Sequence, residues 1–120
     1  MHKVKIFKVN TIKEEGTHDN AGLRRKLLDG MTLNNLNLDI FAIDYLEPGK
    51  YFDWHEHIDM DEFALVLEGE GEVLYGDSGE KEVYKSGDVI VIPPNTYHRI
   101  EAYGGSLNRM IFFRIKHPPK

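Results

Sequence analysis

Six histidines and no cysteine set the chemistry open to this 120-residue chain. Thiolate nucleophiles, disulfides and cysteine-ligated zinc or iron–sulfur centres are excluded outright. His2, His18 and His117 lie near the termini or in a polar stretch, where solvent exposure is the expected role. His55, His57 and His98 fall between apolar runs instead. Residues two apart on a strand face the same way, so His55 and His57 present two imidazoles side by side. Glu62 follows the loop Ile58-Asp59-Met60-Asp61 and brings a carboxylate near them, and His98 begins a strand just beyond Pro93-Pro94-Asn95. Three imidazoles and one carboxylate suit one divalent transition metal (Fe, Mn, Ni, Co, Cu or Zn) and suit Ca or Mg poorly. The competing reading is structural: buried neutral histidines bonded to backbone carbonyls, or a solvated pair on a sheet surface. Three imidazoles buried together are costly unless something coordinates or hydrogen-bonds them, which favours the metal.

The elements that must position these groups read as short strands. Leu38–Leu46 is a β-type run stopped by the turn signal Glu47-Pro48-Gly49, and Phe52–His57 follows. Glu62–Leu67 is apolar at nearly every position, as expected of a strand covered on both faces. Gly69 and Gly71 bracket a bend before Glu72–Tyr75, and Gly76-Asp77-Ser78-Gly79 makes a hairpin to Lys81–Lys85. Val89–Ile92, Thr96–Ala102 and Leu107–Ile115 complete the series. At the other end, the alternation in Val4–Val9 predicts a partly exposed strand, and Ala21–Leu28 is the one candidate helix. Nine or ten short strands with closely spaced turns predict an all-β sandwich or barrel. An α/β fold would need helical crossovers of about a dozen residues, for which there is no room.

Composition narrows the partners. Hydrophobic residues make up 41% and charged residues 29%, enough for one folded domain and not a disordered chain. A net charge of -5 disfavours a grip on nucleic-acid phosphates. No apolar run approaches the roughly 20 residues that a membrane helix needs. The opening residues alternate charged and apolar types rather than forming a signal-peptide core, so a cytoplasmic location is expected.

The pattern around the histidines resembles the small single-domain cupins. The first cupin motif is a glycine, five residues, H-x-H, three or four residues, a glutamate, six residues and a glycine. It is met by Gly49, His55, His57, Glu62 and Gly69. The second runs from Gly87 through Pro93 to His98, with two departures: Asn95 replaces a glycine and Ala102 an asparagine. Asparagine accepts a left-handed turn better than other non-glycine residues, so the first departure is mild. The resemblance implies a double-stranded β-helix, a jelly-roll barrel, with a metal inside held by residues matching His55, His57, Glu62 and His98. It places the cupin core at residues 38–116, with residues 1–37 supplying strands and a short helix or turn packed on it.

Several neighbours are candidates for supporting roles. Asp53 shares the histidine side of the alternation and is a candidate to orient a ligand, whereas Glu56 should face away. Arg24, Arg25 and Lys26 cluster, Arg99 flanks His98, and Arg109 and Arg114 occupy opposite faces of the last strand. An inward arginine would clamp a carboxylate or phosphate, but both faces of that strand are apolar and periodicity leaves the choice open. Tyr45 or Tyr97 would donate a proton if near the metal. Tyr51–Glu80 holds ten acids and no Lys or Arg, a field that either draws cations or simply solvates turns. Apolar surface in excess of one small core predicts a homodimer. The expected function is that of a metal-dependent enzyme acting on a small polar or anionic molecule by dioxygenase, isomerase, lyase or decarboxylase chemistry. The alternative is a non-catalytic module that binds or senses a small ligand.

Overall fold

The computed structural model describes residues 4–17, 22–30 and 37–117, which places His2 and His18 outside the described residues. Ten strands fold the chain: β1 (Glu15–Thr17), β2 (Gly22–Leu28), β3 (Leu38–Leu46), β4 (Tyr51–His55), β5 (Met60–Glu68), β6 (Glu70–Tyr75), β7 (Glu80–Lys85), β8 (Val89–Ile92), β9 (His98–Ala102) and β10 (Asn108–Lys116). They form a six-stranded sheet in the order β1-β2-β3-β10-β5-β8 and a four-stranded sheet in the order β4-β9-β6-β7. From β3 to β6 successive strands alternate between the sheets, and β8, β9 and β10 do so again. This is the winding of a double-stranded β-helix, and the fold is the all-β jelly roll. Among the described residues no helix is long and apolar enough to cross a membrane.

The expected β barrel does not form. The sheets face each other as separate layers, with no hydrogen-bonded ladder joining β1 or β8 to β4 or β7. Two of the crossings between layers are proline corners. Pro48-Gly49 breaks the passage from β3 to β4, and Pro93 and Pro94, which have no N–H to donate, break that from β8 to β9.

Two other expectations are corrected near the N-terminus. Val4–Lys8 joins no strand and leads into a 3-10 turn at Val9–Thr11, with Val4 and Ile6 exposed. The segment read as a helix is β2 over Gly22–Leu28, while Ala21 lies outside the described residues. β2 pairs with β1 on one side and β3 on the other, and that ladder outweighs a weak local preference for helix. Gly22 marks how tightly the pairing packs: a Cβ there would stand 2.7 Å from the Tyr45 carbonyl oxygen.

Between the layers, inward residues of both sheets make the core, with Leu46, Phe52, Val66, Ile100 and Met110 almost wholly buried. Asn108 is also buried, and its Oδ1 accepts a 2.7 Å bond from the Tyr84 hydroxyl while its Nδ2 donates to the Glu70 carbonyl. That satisfies a polar pair inside an apolar layer. Towards the other end of the interlayer, inward positions turn polar: Glu62 on β5, Arg114 on β10 and His98 on β9. The outward side of the six-stranded sheet is mostly apolar across β5, β8 and β10, with Arg109 beside Glu68 at one end. Phe41 stacks on Phe113 with ring centroids 4.4 Å apart, and Leu65, Leu67, Val89, Val91 and Ile115 are exposed.

Candidate metal centre

Strand pairing assembles the polar end. His55 closes β4 and lies directly opposite His98, the first residue of β9, in the antiparallel ladder. Their rings sit 4.2 Å apart, centroid to centroid. A register shift between Phe52 and His55 bends β4 here, so His57 lies past the strand end rather than on it, with its ring 4.9 Å from that of His55. Glu62 reaches in from β5 of the facing sheet. Its Oε2 is 3.1 Å from His57 Nε2 and its Oε1 is 3.5 Å from His98 Nε2. One ligand atom from each of His55, His57, Glu62 and His98 falls within 4.8 Å of all the others, a cluster able to coordinate a divalent metal.

Backbone carbonyls set the imidazole orientations. His98 Nδ1 lies 2.8 Å from the Thr96 carbonyl oxygen and His55 Nδ1 2.5 Å from that of Asp53. A ring that donates through Nδ1 leaves Nε2 as its lone-pair nitrogen. Asp53 therefore acts through its main chain. Its carboxylate is exposed and accepts the Trp54 N–H, so the expected side-chain role is not seen. His57 is held from behind: the Asn95 N–H donates to its carbonyl at 3.0 Å. Asn95 and Asp59 both adopt positive φ, 59° and 54°. They interlock through Asp59 N–H to Asn95 Oδ1 at 3.1 Å and Asn95 Nδ2 to Asp59 Oδ1 at 3.2 Å.

The donors fit a metal. His57 Nε2 and His98 Nε2 are buried and have no hydrogen-bond partner, although each lies within ion-pairing range of Glu62. Buried imidazole nitrogens are ordinarily satisfied, and here both are directed to one carboxylate. Burial alone would raise the Glu62 carboxyl, but the His57 and His98 imidazoles outweigh that and hold it well below the usual carboxylate range. Glu62 is 3% exposed and is thereby kept ionised where a cation would sit.

The remaining candidates separate clearly. Arg114 is the inward arginine: its Nη1 stands 3.6 Å from Glu62 Oε2 and its Nε donates to Asp39 at 2.8 Å. Arg109 points outward beside Glu68. Glu56 is exposed, as expected. Arg24 and Arg25 bond Glu15 and Glu14, and Lys26 lies 3.8 Å from Asp29. Arg99 stacks over the Tyr51 ring at 3.8 Å. Tyr97 is 48% exposed and stacks on Trp54, while Tyr45 lies on the outward face of β3, so neither is a proton donor to the cluster. His117 bonds Asp61 at the surface.

Two openings meet the cluster. A cleft of about 530 Å³ between the edges of β7 and β8, lined by Val73, Tyr84, Ile90 and Ile92, touches His98 alone of the four. A cavity of about 30 Å³ on the other side is lined by His55, Glu62, Arg114, Arg24, Thr17 and Asp44, among others. Asp44 was not singled out from the sequence. The signal was there: in Ile40, Ala42, Asp44 and Leu46, the buried side of β3, it is the one polar residue. Burial pushes its carboxyl up to about 7, against the pull of Arg24 and Arg114.

Residues 43–113, more than half of the chain, match the sequence model of the cupin domain, and the chain belongs to that family. Uncharacterized protein YdbB of Bacillus subtilis is 43% identical over 60 residues, half of this chain and 51% of that protein. An uncharacterized protein of Methanocaldococcus jannaschii is 44% identical over 50 residues, 42% of this chain and 38% of its own length. The chain thus spans about half or less of the curated relatives it matches. Among solved structures, a predicted oxalate decarboxylase from Thermotoga maritima superposes with a TM-score of 0.82 at 24% identity. That match covers 94% of this chain and all of the other, and it establishes a shared fold.

Proposed function

We propose that this chain is a metal-dependent cupin enzyme in which His55, His57, Glu62 and His98 hold one divalent transition metal, Fe, Mn, Ni, Co, Cu or Zn. The observation that carries the reading is the pair of buried Nε2 atoms on His57 and His98, both without a hydrogen-bond partner. Bound there, such an ion would polarise a coordinated oxygen and lower the pKa of a coordinated water. The chain's own groups prepare the place. The Asp53 and Thr96 carbonyls fix two imidazoles, and the ionised Glu62 offsets cation charge. Arg114, 3.6 Å from Glu62, limits how far that carboxylate swings. Four protein donors leave one or two positions open for a small polar or anionic organic molecule, and decarboxylase, lyase, isomerase or dioxygenase chemistry is consistent with that arrangement.

The same reading includes a homodimer formed through the outward face of the six-stranded sheet. β3, β5 and β10 are each nine residues long. With β8 they present a face of roughly 500 Å² at standard strand spacing and rise, so two copies would bury about 1,000 Å² or more, the size of a specific interface. Phe113, Leu65, Leu67, Val89 and Val91 line it, with Arg109 and Glu68 at one end. A self-complementary apolar sheet is suited to a second copy related by a twofold axis.

Metal analysis of protein purified without added metal tests the centre, with His98→Ala and Glu62→Gln alongside. Near one ion per chain is expected in the wild type, with metal content down about tenfold or more in the variants. Folded wild-type protein that takes up none of the six metals at micromolar concentration would overturn the reading.

A further inference from the structure

Asp44 is buried, 8% exposed, and its Oδ1 has no hydrogen-bond partner. It lines the cavity that His55 and Glu62 also line. Arg24 stands directly opposite it in the β2–β3 ladder and would be its obvious partner. Arg24 instead gives both Nε, at 3.0 Å, and Nη2, at 2.7 Å, to Glu15. Arg114, the other guanidinium on the cavity, gives its Nε to Asp39. Thr17, also on the cavity wall, has a buried hydroxyl with no partner. Among the described residues, two buried oxygens on one small cavity are thus without partners while the nearby cations are held elsewhere. Leaving such groups unpaired is unfavourable, and a ligand that bonds them gains correspondingly.

We propose that Asp44 is a ligand-recognition residue of this site, accepting the hydroxyl of a small 2-hydroxycarboxylate that lies in the cavity between Asp44 and the His55–Glu62 side of the cluster. This rests on the metal reading, because the ligand's carboxylate is assigned to the open side of the cation. Thr17 Oγ1 offers a second hydroxyl contact. The cavity's volume of about 30 Å³ limits the ligand to a few non-hydrogen atoms beyond those at the metal.

The test uses cobalt-loaded protein titrated calorimetrically with glycolate and with acetate, which lacks only the hydroxyl. Wild-type protein is expected to bind glycolate about tenfold or more tighter than acetate, the range for a hydrogen bond to a charged acceptor. In Asp44→Val that preference should fall to near one, with cobalt stoichiometry unchanged. Should Asp44→Val lose cobalt, Asp44→Asn keeps the shape, and its preference should drop several-fold because the charged acceptor is gone. A wild-type protein that takes cobalt but does not distinguish or bind the two acids overturns this proposal alone, as does a variant that keeps the preference. Wild-type protein that takes no cobalt overturns it together with the metal reading.

Discussion

Asn95 stands where cupins carry glycine, and the structure gives it work that a glycine would not do. Its backbone is left-handed, its N–H holds the His57 carbonyl, and its amide makes two bonds to Asp59, which is itself left-handed. Asn95→Gly keeps the backbone bond and relieves the left-handed strain by about 0.5–1 kcal/mol. It also removes two exposed side-chain bonds worth together about 1–2 kcal/mol. The net expectation is a loss of about 0.5–1 kcal/mol. Asn95→Ala loses the same bonds and adds a left-handed cost of roughly 1–2 kcal/mol, for a total of about 2–4 kcal/mol. Urea unfolding of the metal-free protein should therefore rank wild type above Asn95→Gly above Asn95→Ala. Zinc competition against a chromophoric chelator should show both variants binding about tenfold more weakly, because the His57 loop is less fixed. If only backbone conformation mattered, Asn95→Gly would equal or exceed the wild type. That result, with zinc affinity unchanged, would refute the idea that Asn95 positions His57.

Two further outcomes follow from Asp44 and from the outward sheet. A carboxyl whose folded pKa of about 7 lies above its unfolded value of about 3.9 keeps a proton on folding that the unfolded chain gives up. Its burial therefore costs nothing below pH 4, and stability of the metal-free protein should fall by up to ~4 kcal/mol between pH 4 and 7, then level off. Arg24 and Arg114 oppose that shift, while Glu62 and Glu15 reinforce it. Asp44→Asn should flatten this limb in denaturant titrations run at each pH, and an unchanged slope would contradict the assignment. Phe113→Lys, placed at the Phe41 stack, should convert a sedimenting dimer to a monomer near 13.9 kDa at micromolar concentration while leaving metal content intact. A wild type that sediments as a monomer would refute the interface.

What was legible in the sequence, and what was not, divides along a physical line. The bounds of β3 coincide with the expected run Leu38–Leu46 because apolar alternation ends at a proline–glycine turn, both of them local signals. His55 and His57 were legible as a pair from strand spacing, whereas Glu62 and His98 joined them through the resemblance to the cupin motifs, since the β4–β9 ladder that sets His98 opposite His55 joins residues distant in sequence. β2 was misread because its conformation comes from pairing with β1 and β3, residues distant in sequence. The barrel failed for a related reason: closure depends on how edges meet after each corner, which no residue pattern encodes.

The inward arginine shows the limit most clearly. Alternation separates Arg109 from Arg114 but names neither as buried, since β10 is apolar on the core side through Met110 and Phe112 and on the outward side through Ile111 and Phe113. Register settles it, because Arg114 pairs with Glu62, whose side was already fixed by the histidines. The ambiguity is itself informative: a strand apolar on both sides in a two-layer fold has one core to fill and one face left over. The same doubled pattern in Phe63, Leu65 and Leu67 of β5 extends the surplus across two neighbouring strands of the outward sheet. What made the inward arginine unreadable is thus the feature from which the second copy of the chain is inferred.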